Sequence, residues 1–147
     1  MSLTMSGQPQ IPTLLDFDIT NFRIAKEAVP EIGGVVEILD TNEVFTLQLD
    51  FRGEGSQWEN MCNVALKYEI HFDAEGIGPW PHNDRHLGTT TGQLVPGQLA
   101  YSVQYSVPGG IPNEGIYRLS SMLTFQNWKG VLGFAEGLVI QVSQLEE

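Results

Sequence analysis

Phe45-Thr46-Leu47-Gln48-Leu49-Asp50-Phe51 sets a large apolar side chain at every second position and a polar one between each pair. Successive side chains of a β-strand point to opposite faces, so this spacing predicts one buried face and one wet face. The same period returns in Val64/Leu66/Tyr68/Ile70/Phe72 and in Leu99/Tyr101/Val103/Tyr105/Val107, with Lys67, Glu69 and Gln104 among the intervening residues. Half-buried antiparallel strands carry this pattern. A slip of one residue would expose the whole apolar set, so residues 45, 47, 49 and 51, and 66, 68, 70 and 72, are expected to be buried.

Outward from these stretches, Leu15/Phe17/Ile19 alternate and then shift to Phe22/Ile24 across Thr20-Asn21, which predicts a first strand with a bulge. Val35 to Leu39 forms a short β-branched segment, and the turn Asp40-Thr41-Asn42 leads into the strand from Glu43 to Arg52. These pieces are expected to be a split edge strand followed by a central one. Gly53 to Asn60 is expected as a polar loop holding Trp58, with the next strand from Asn63 to about Glu75. A long connection from Gly76 to Asp84 follows, then a weaker strand around His86 to Leu94, a Pro96-Gly97 turn and a strand from Gln98 to Val107. Pro108 to Gly115 reads as loop. Strands around Ile116 to Phe125 and Phe134 to Val142 complete the chain, the last apolar on both faces from Leu138 to Ile140 and hence central or covered.

Short strands with turn signals at about 8 to 12 residues favour a sandwich or barrel. The expected fold class is all-β, an antiparallel two-sheet sandwich of seven or eight strands. Residues 1–12 read as a flexible N-terminal segment and 13–147 as a single domain. The chain has 147 residues with 16 Gly and 8 Pro, and a chain of that size buries about 70% of its unfolded surface without needing a disulfide or metal.

Gly115-Ile116-Tyr117-Arg118-Leu119, after a long loop and before the penultimate strand, resembles the tyrosine corner of immunoglobulin/fibronectin-like sandwiches. At the level of architecture the chain from about Leu14 to Val142 resembles that superfold. It departs from antibody domains in having no cysteine pair and in offering Leu66 and Tyr68 where their strand C carries tryptophan. The resemblance implies that Tyr117 tethers the chain entering its strand; the alternative is one more core aromatic.

Eighteen acidic against seven basic residues give a formal net charge of -11. A field of that sign repels phosphate backbones and anionic membrane surfaces, so neither nucleic acid nor membrane is expected as a partner. The functional reading of that charge is attraction to cationic partners or metal; a solvated surface that keeps the protein soluble is the preferred one. The single cysteine, Cys62, excludes an internal disulfide and reads as a small buried hydrophobe. No apolar run is long enough to span a bilayer, and the first ten residues lack the basic and apolar regions of a secretory signal, so a cytoplasmic location is weakly favoured.

Candidate sites are few. Immunoglobulin-like connectivity would gather Trp58, Pro96-Gly97 and Trp128 at one end, with Trp80 at the other. Trp58, Asn60, Asn127 and Trp128 could then form a rim that stacks on a flat ligand or clamps a peptide; otherwise each indole folds inward and plugs the sandwich. His82-Asn83-Asp84-Arg85-His86 is the most metal-like cluster, lacking a third ligand unless Asp84, Asp73 or Glu75 supplies it, and a polar loop is preferred. His71 shares the solvated face of Lys67, Glu69 and Asp73. No nucleophile elbow, phosphate-binding loop or dinucleotide fingerprint occurs. The expectation is therefore a non-enzymatic binding module without cofactor or metal, engaging a protein or small ligand through sandwich-end loops. The alternatives are a structural protein that self-associates into a homo-oligomer through its sheet edges and, less favoured, a metal-dependent enzyme using His82 and His86.

Overall fold

The computed structural model describes residues 15–25, 37–78, 83–126 and 132–145. Within them the chain runs β1 (Asp16–Ile24), β2 (Glu37–Asp40), β3 (Phe45–Glu54), α1 (Ser56–Asn63), β4 (Lys67–Ile77), β5 (Arg85–Gln93), β6 (Ala100–Val107), β7 (Gly115–Phe125) and β8 (Leu132–Ser143). One sheet has the order β1-β3-β6 and the other β2-β8-β7-β4-β5. The two inner faces meet in a common core. Phe45, Leu47, Leu49 and Phe51 of β3 are buried, as are Leu66 and the β4 residues Tyr68, Ile70 and Phe72.

β1 and β2 occupy edges of different sheets, the split edge strand, while β3 is central; β1 shifts register between Ile19 and Asn21. One pairing departs from a wholly antiparallel sandwich, because β2 runs parallel to β8, Leu39 opposite Val142. Alternation fixes which face a side chain takes but not the direction of the neighbouring strand, so the sequence pattern could not reveal this. β8 lies between β2 and β7, the central position that was one of the two readings of its apolar run.

Ser56 to Asn63 is helix rather than loop, because Trp58, Met61 and Cys62 stand at i, i+3 and i+4 and are all buried. The helix ends in a Schellman motif, with Leu66 N–H donating to Met61 O and Ala65 N–H to Cys62 O. Ala65 occupies the left-handed position of that motif at φ 51°. The strand expected from Asn63 therefore begins at Lys67, and Val64 caps the helix and is exposed. Leu99 likewise precedes β6 and is exposed.

Candidate binding site

Trp58 has 0% exposure. Its ring stacks on Phe17 and meets Tyr101 and Phe125 edge-on, with centroids 5.9 to 6.0 Å apart, and its Nε1–H donates to Gln98 O at 3.2 Å. Gly53 beneath it has no room for a side chain, since an added Cβ would fall inside the indole. The bond to Gln98 joins α1 to the segment after the Pro96-Gly97 turn, as the end-loop reading required, but the indole is packed inward between the sheets rather than standing free at a rim. Sixfold aromatic packing of Phe17, Phe51, Trp58, Tyr68, Tyr101 and Phe125 releases more free energy than an exposed rim could retain. What remains is a depression of about 190 Å³ whose lining includes Trp58, Cys62, Gly97 and Leu99. Asn60 is exposed and is not among the residues that line it; Asn127, Trp128, Trp80 and His82 lie outside the described residues.

Three tyrosine hydroxyls tie connections to the core. Tyr101 accepts from Val95 N–H at 2.8 Å and donates to Val95 O at 3.2 Å; burial drives its pKa up to about 12. Tyr105 donates to Leu87 O of the edge strand β5. Tyr117, 1% exposed, donates to Asn113 O at 2.7 Å, so it is the tether that the tyrosine-corner resemblance implied, and its pKa is raised by burial. Cys62, buried with Sγ near Gln98 O and the Tyr101 hydroxyl, has its thiol pushed up by desolvation and is poorly suited to act as a nucleophile.

The outer face of the five-stranded sheet is different in kind. Registers align Phe134, Met122, His71 and Thr89 in one row across β8, β7, β4 and β5, and Glu136, Ser120, Asp73 and His86 in the next. Phe134 is 56% exposed and Met122 37%, an apolar pair with no cover among the described residues. On the side of the row toward Gln126 lies a cleft of about 460 Å³ lined by Lys67, Tyr68, Glu69, Thr91, Thr124, Phe125 and Gln126. His71 and His86 sit on this face with Glu69, Asp73 and Thr89 as hydrogen-bond partners. Asp84 accepts from Gly76 N–H at 2.9 Å, closing the β4–β5 connection rather than joining His86. Among the described residues no three His, Cys, Asp or Glu side chains form a group able to hold a metal ion.

No protein-family model matches this sequence, and no curated protein matches it. The structure is similar to the CARDB domain of the PF1109 protein from Pyrococcus furiosus, solved in complex with di-metal ions, with a TM-score of 0.50 and 9% identity, covering 90% of this chain and 96% of that one. This chain is an immunoglobulin-like β-sandwich. A β-glucosidase from Listeria innocua gives a TM-score of 0.46 at 8% identity, covering 87% of this chain and 16% of the enzyme. The superoxide reductase (neelaredoxin) from Ignicoccus hospitalis gives 0.42 at 15% identity, covering 85% and 82%. At such identities the likeness concerns the fold alone.

The inward rows follow from alternation in the sequence, whereas the exposed pair Met122/Phe134 on the outer sheet face was not anticipated. Met122 and Phe134 carried a signal: each is a large apolar residue on the polar register of its strand, opposite the phase set by Leu119, Leu123, Leu138 and Ile140 once the β8 irregularity near Gly137 is allowed for.

Proposed function

We propose that this immunoglobulin-like module is a non-enzymatic binding domain that holds a protein segment against the outer face of its five-stranded sheet, at the end where β7 runs into the Asn127-Trp128 connection. The observation that supports it is the cross-strand pair Met122/Phe134, two exposed apolar side chains directly opposite each other on adjacent strands and beside a cleft. Isolated exposed hydrophobes are ordinary, whereas a pair that borders a cleft of ligand-binding size is what a recognition surface provides. Glu69 and Glu136 flank the surface, and a net charge of -11 steers basic segments toward it, so the preferred partner carries both apolar and Lys/Arg side chains.

A random peptide display library selected on the immobilised chain tests this reading. Apolar-basic peptides should be enriched, and their binding should fall at least tenfold for Phe134→Asp and Met122→Asp while the unfolding midpoints stay close to that of the parent. Peptides that bind both variants as tightly as the parent would remove the face from consideration. Self-association is the competing reading, since a second copy could cover Met122 and Phe134. A solution mass of two chains that reverts to one in Phe134→Asp would favour it, although the charge of each copy opposes such pairing.

A further inference from the structure

We propose that His71 and His86 form a two-imidazole site for a late first-row transition-metal ion, copper(II) above all, on the outer face of β4 and β5. The cluster is built by register: Thr89 lies opposite His71, and a bulge between Phe72 and Asp73 sets His86 opposite Asp73, which brings the two ring centroids to 6.0 Å. Each imidazole rests its outer nitrogen on a carboxylate. His71 Nε2 is 2.8 Å from Glu69 Oε1, and His86 Nδ1 is 2.9 Å from Asp73 Oδ1. An ionised carboxylate only accepts, so each outer nitrogen carries the hydrogen and donates it.

The inner nitrogens of the neutral rings are then acceptors, and both aim at the same atom. His71 Nδ1 lies 3.2 Å and His86 Nε2 3.1 Å from Thr89 Oγ1. A hydroxyl has one hydrogen to give, so two convergent lone pairs share a single donor. One of them is left for a cation. Imidazoles whose far N–H is held by a carboxylate are the arrangement that fixes a metal ligand's tautomer and raises its basicity, and imidazole suits copper, nickel and zinc, with affinity highest for copper in that series.

An ion bound about 2 Å from both inner nitrogens would lie nearer the rings than the Thr89 hydroxyl, which stands 3.1 and 3.2 Å from them and crowds that space. Rotation about the Thr89 Cα–Cβ bond clears that space or leaves the hydroxyl as an oxygen ligand, and water fills the remaining positions. Both rings reach solvent, with side chains 30% and 53% exposed, so the ion needs no opening of the fold. Glu69, Asp73 and the overall negative charge favour its approach. The site needs no third protein ligand and no contribution from His82.

Titration of the tag-free full chain with copper(II) and nickel(II) at pH 7.5, by calorimetry and, for copper, by paramagnetic resonance, tests the proposal. One equivalent of copper should bind with the hyperfine pattern of two imidazole nitrogens and more tightly than nickel. His71→Ala and His86→Ala should each weaken binding at least tenfold, His82→Ala should leave it within twofold, and Thr89→Ala should bind at least as tightly as the parent. Unfolding midpoints of the four variants provide the control for folding. Absence of saturable binding, retention of full affinity in His71→Ala, or loss of binding in His82→Ala would overturn the assignment.

Discussion

Trp58 and Phe134 are both aromatic, and the sandwich treats them in opposite ways. The indole is sealed between the sheets against Phe17, Tyr101 and Phe125, while the phenyl ring stands 56% exposed beside Met122 on the outer sheet. The difference teaches that a tryptophan in a connection is not thereby a recognition residue. Its local period decides, because Trp58 shares a helical face with Met61 and Cys62, whereas Phe134 lies on the solvent phase of its strand.

The largest effect separating the two regions is expected from Trp58→Ala, which removes the centre of the aromatic cluster and leaves a cavity between the sheets. A loss of about 3 to 5 kcal/mol is expected in urea unfolding. A loss below about 1 kcal/mol would mean that the indole does not plug the core.

The inner region also predicts an alkaline response. Tyr101 is neutral and buried, with its pKa raised from the ordinary value near 10 to about 12. A raised folded-state pKa stabilises the fold below pH 10, and that contribution is lost as pH climbs through 12, amounting to on the order of 2–3 kcal/mol. Tyr101→Phe should therefore flatten the fall in stability between pH 10 and 12, and an unchanged fall would show that the phenol does not supply it.

Much of the inner region was legible from sequence because alternation is a purely local record of which face is buried. Phe45 to Phe51 and Leu66 to Phe72 needed no long-range information, and the bulge near Thr20-Asn21 was visible as a change of phase. The helix around Trp58 was hidden by its polar composition, although the i, i+3, i+4 spacing of Trp58, Met61 and Cys62 was present. The outer cluster was less accessible still. His71, His86 and Thr89 come from two strands, and their meeting depends on a register and a bulge that no single segment encodes.

A smaller effect, of opposite sign, is expected where the helix leaves the core. Ala65 holds φ 51° in the Schellman position, a conformation that glycine adopts without cost, so Ala65→Gly should raise stability by up to about 1 kcal/mol in the same urea assay. Destabilisation by that amount would contradict the cap. The outer face should respond least: Met122→Ser and Phe134→Ser are each expected to stay within about 0.5 kcal/mol of the parent, the range of surface substitutions. A loss of 2 kcal/mol or more would place these side chains in a packed core instead.

The distinction between a sealed end and an open sheet face is tested most directly by amide chemical-shift mapping, with a library-selected peptide titrated into the labelled chain. Perturbations clustered on Lys67, Glu69, Thr91, Met122, Thr124 and Phe134 are the predicted result. Perturbations confined to Asn60, Gly97 and Gln98, with the outer strands silent, would contradict the account and return recognition to the Trp58 end.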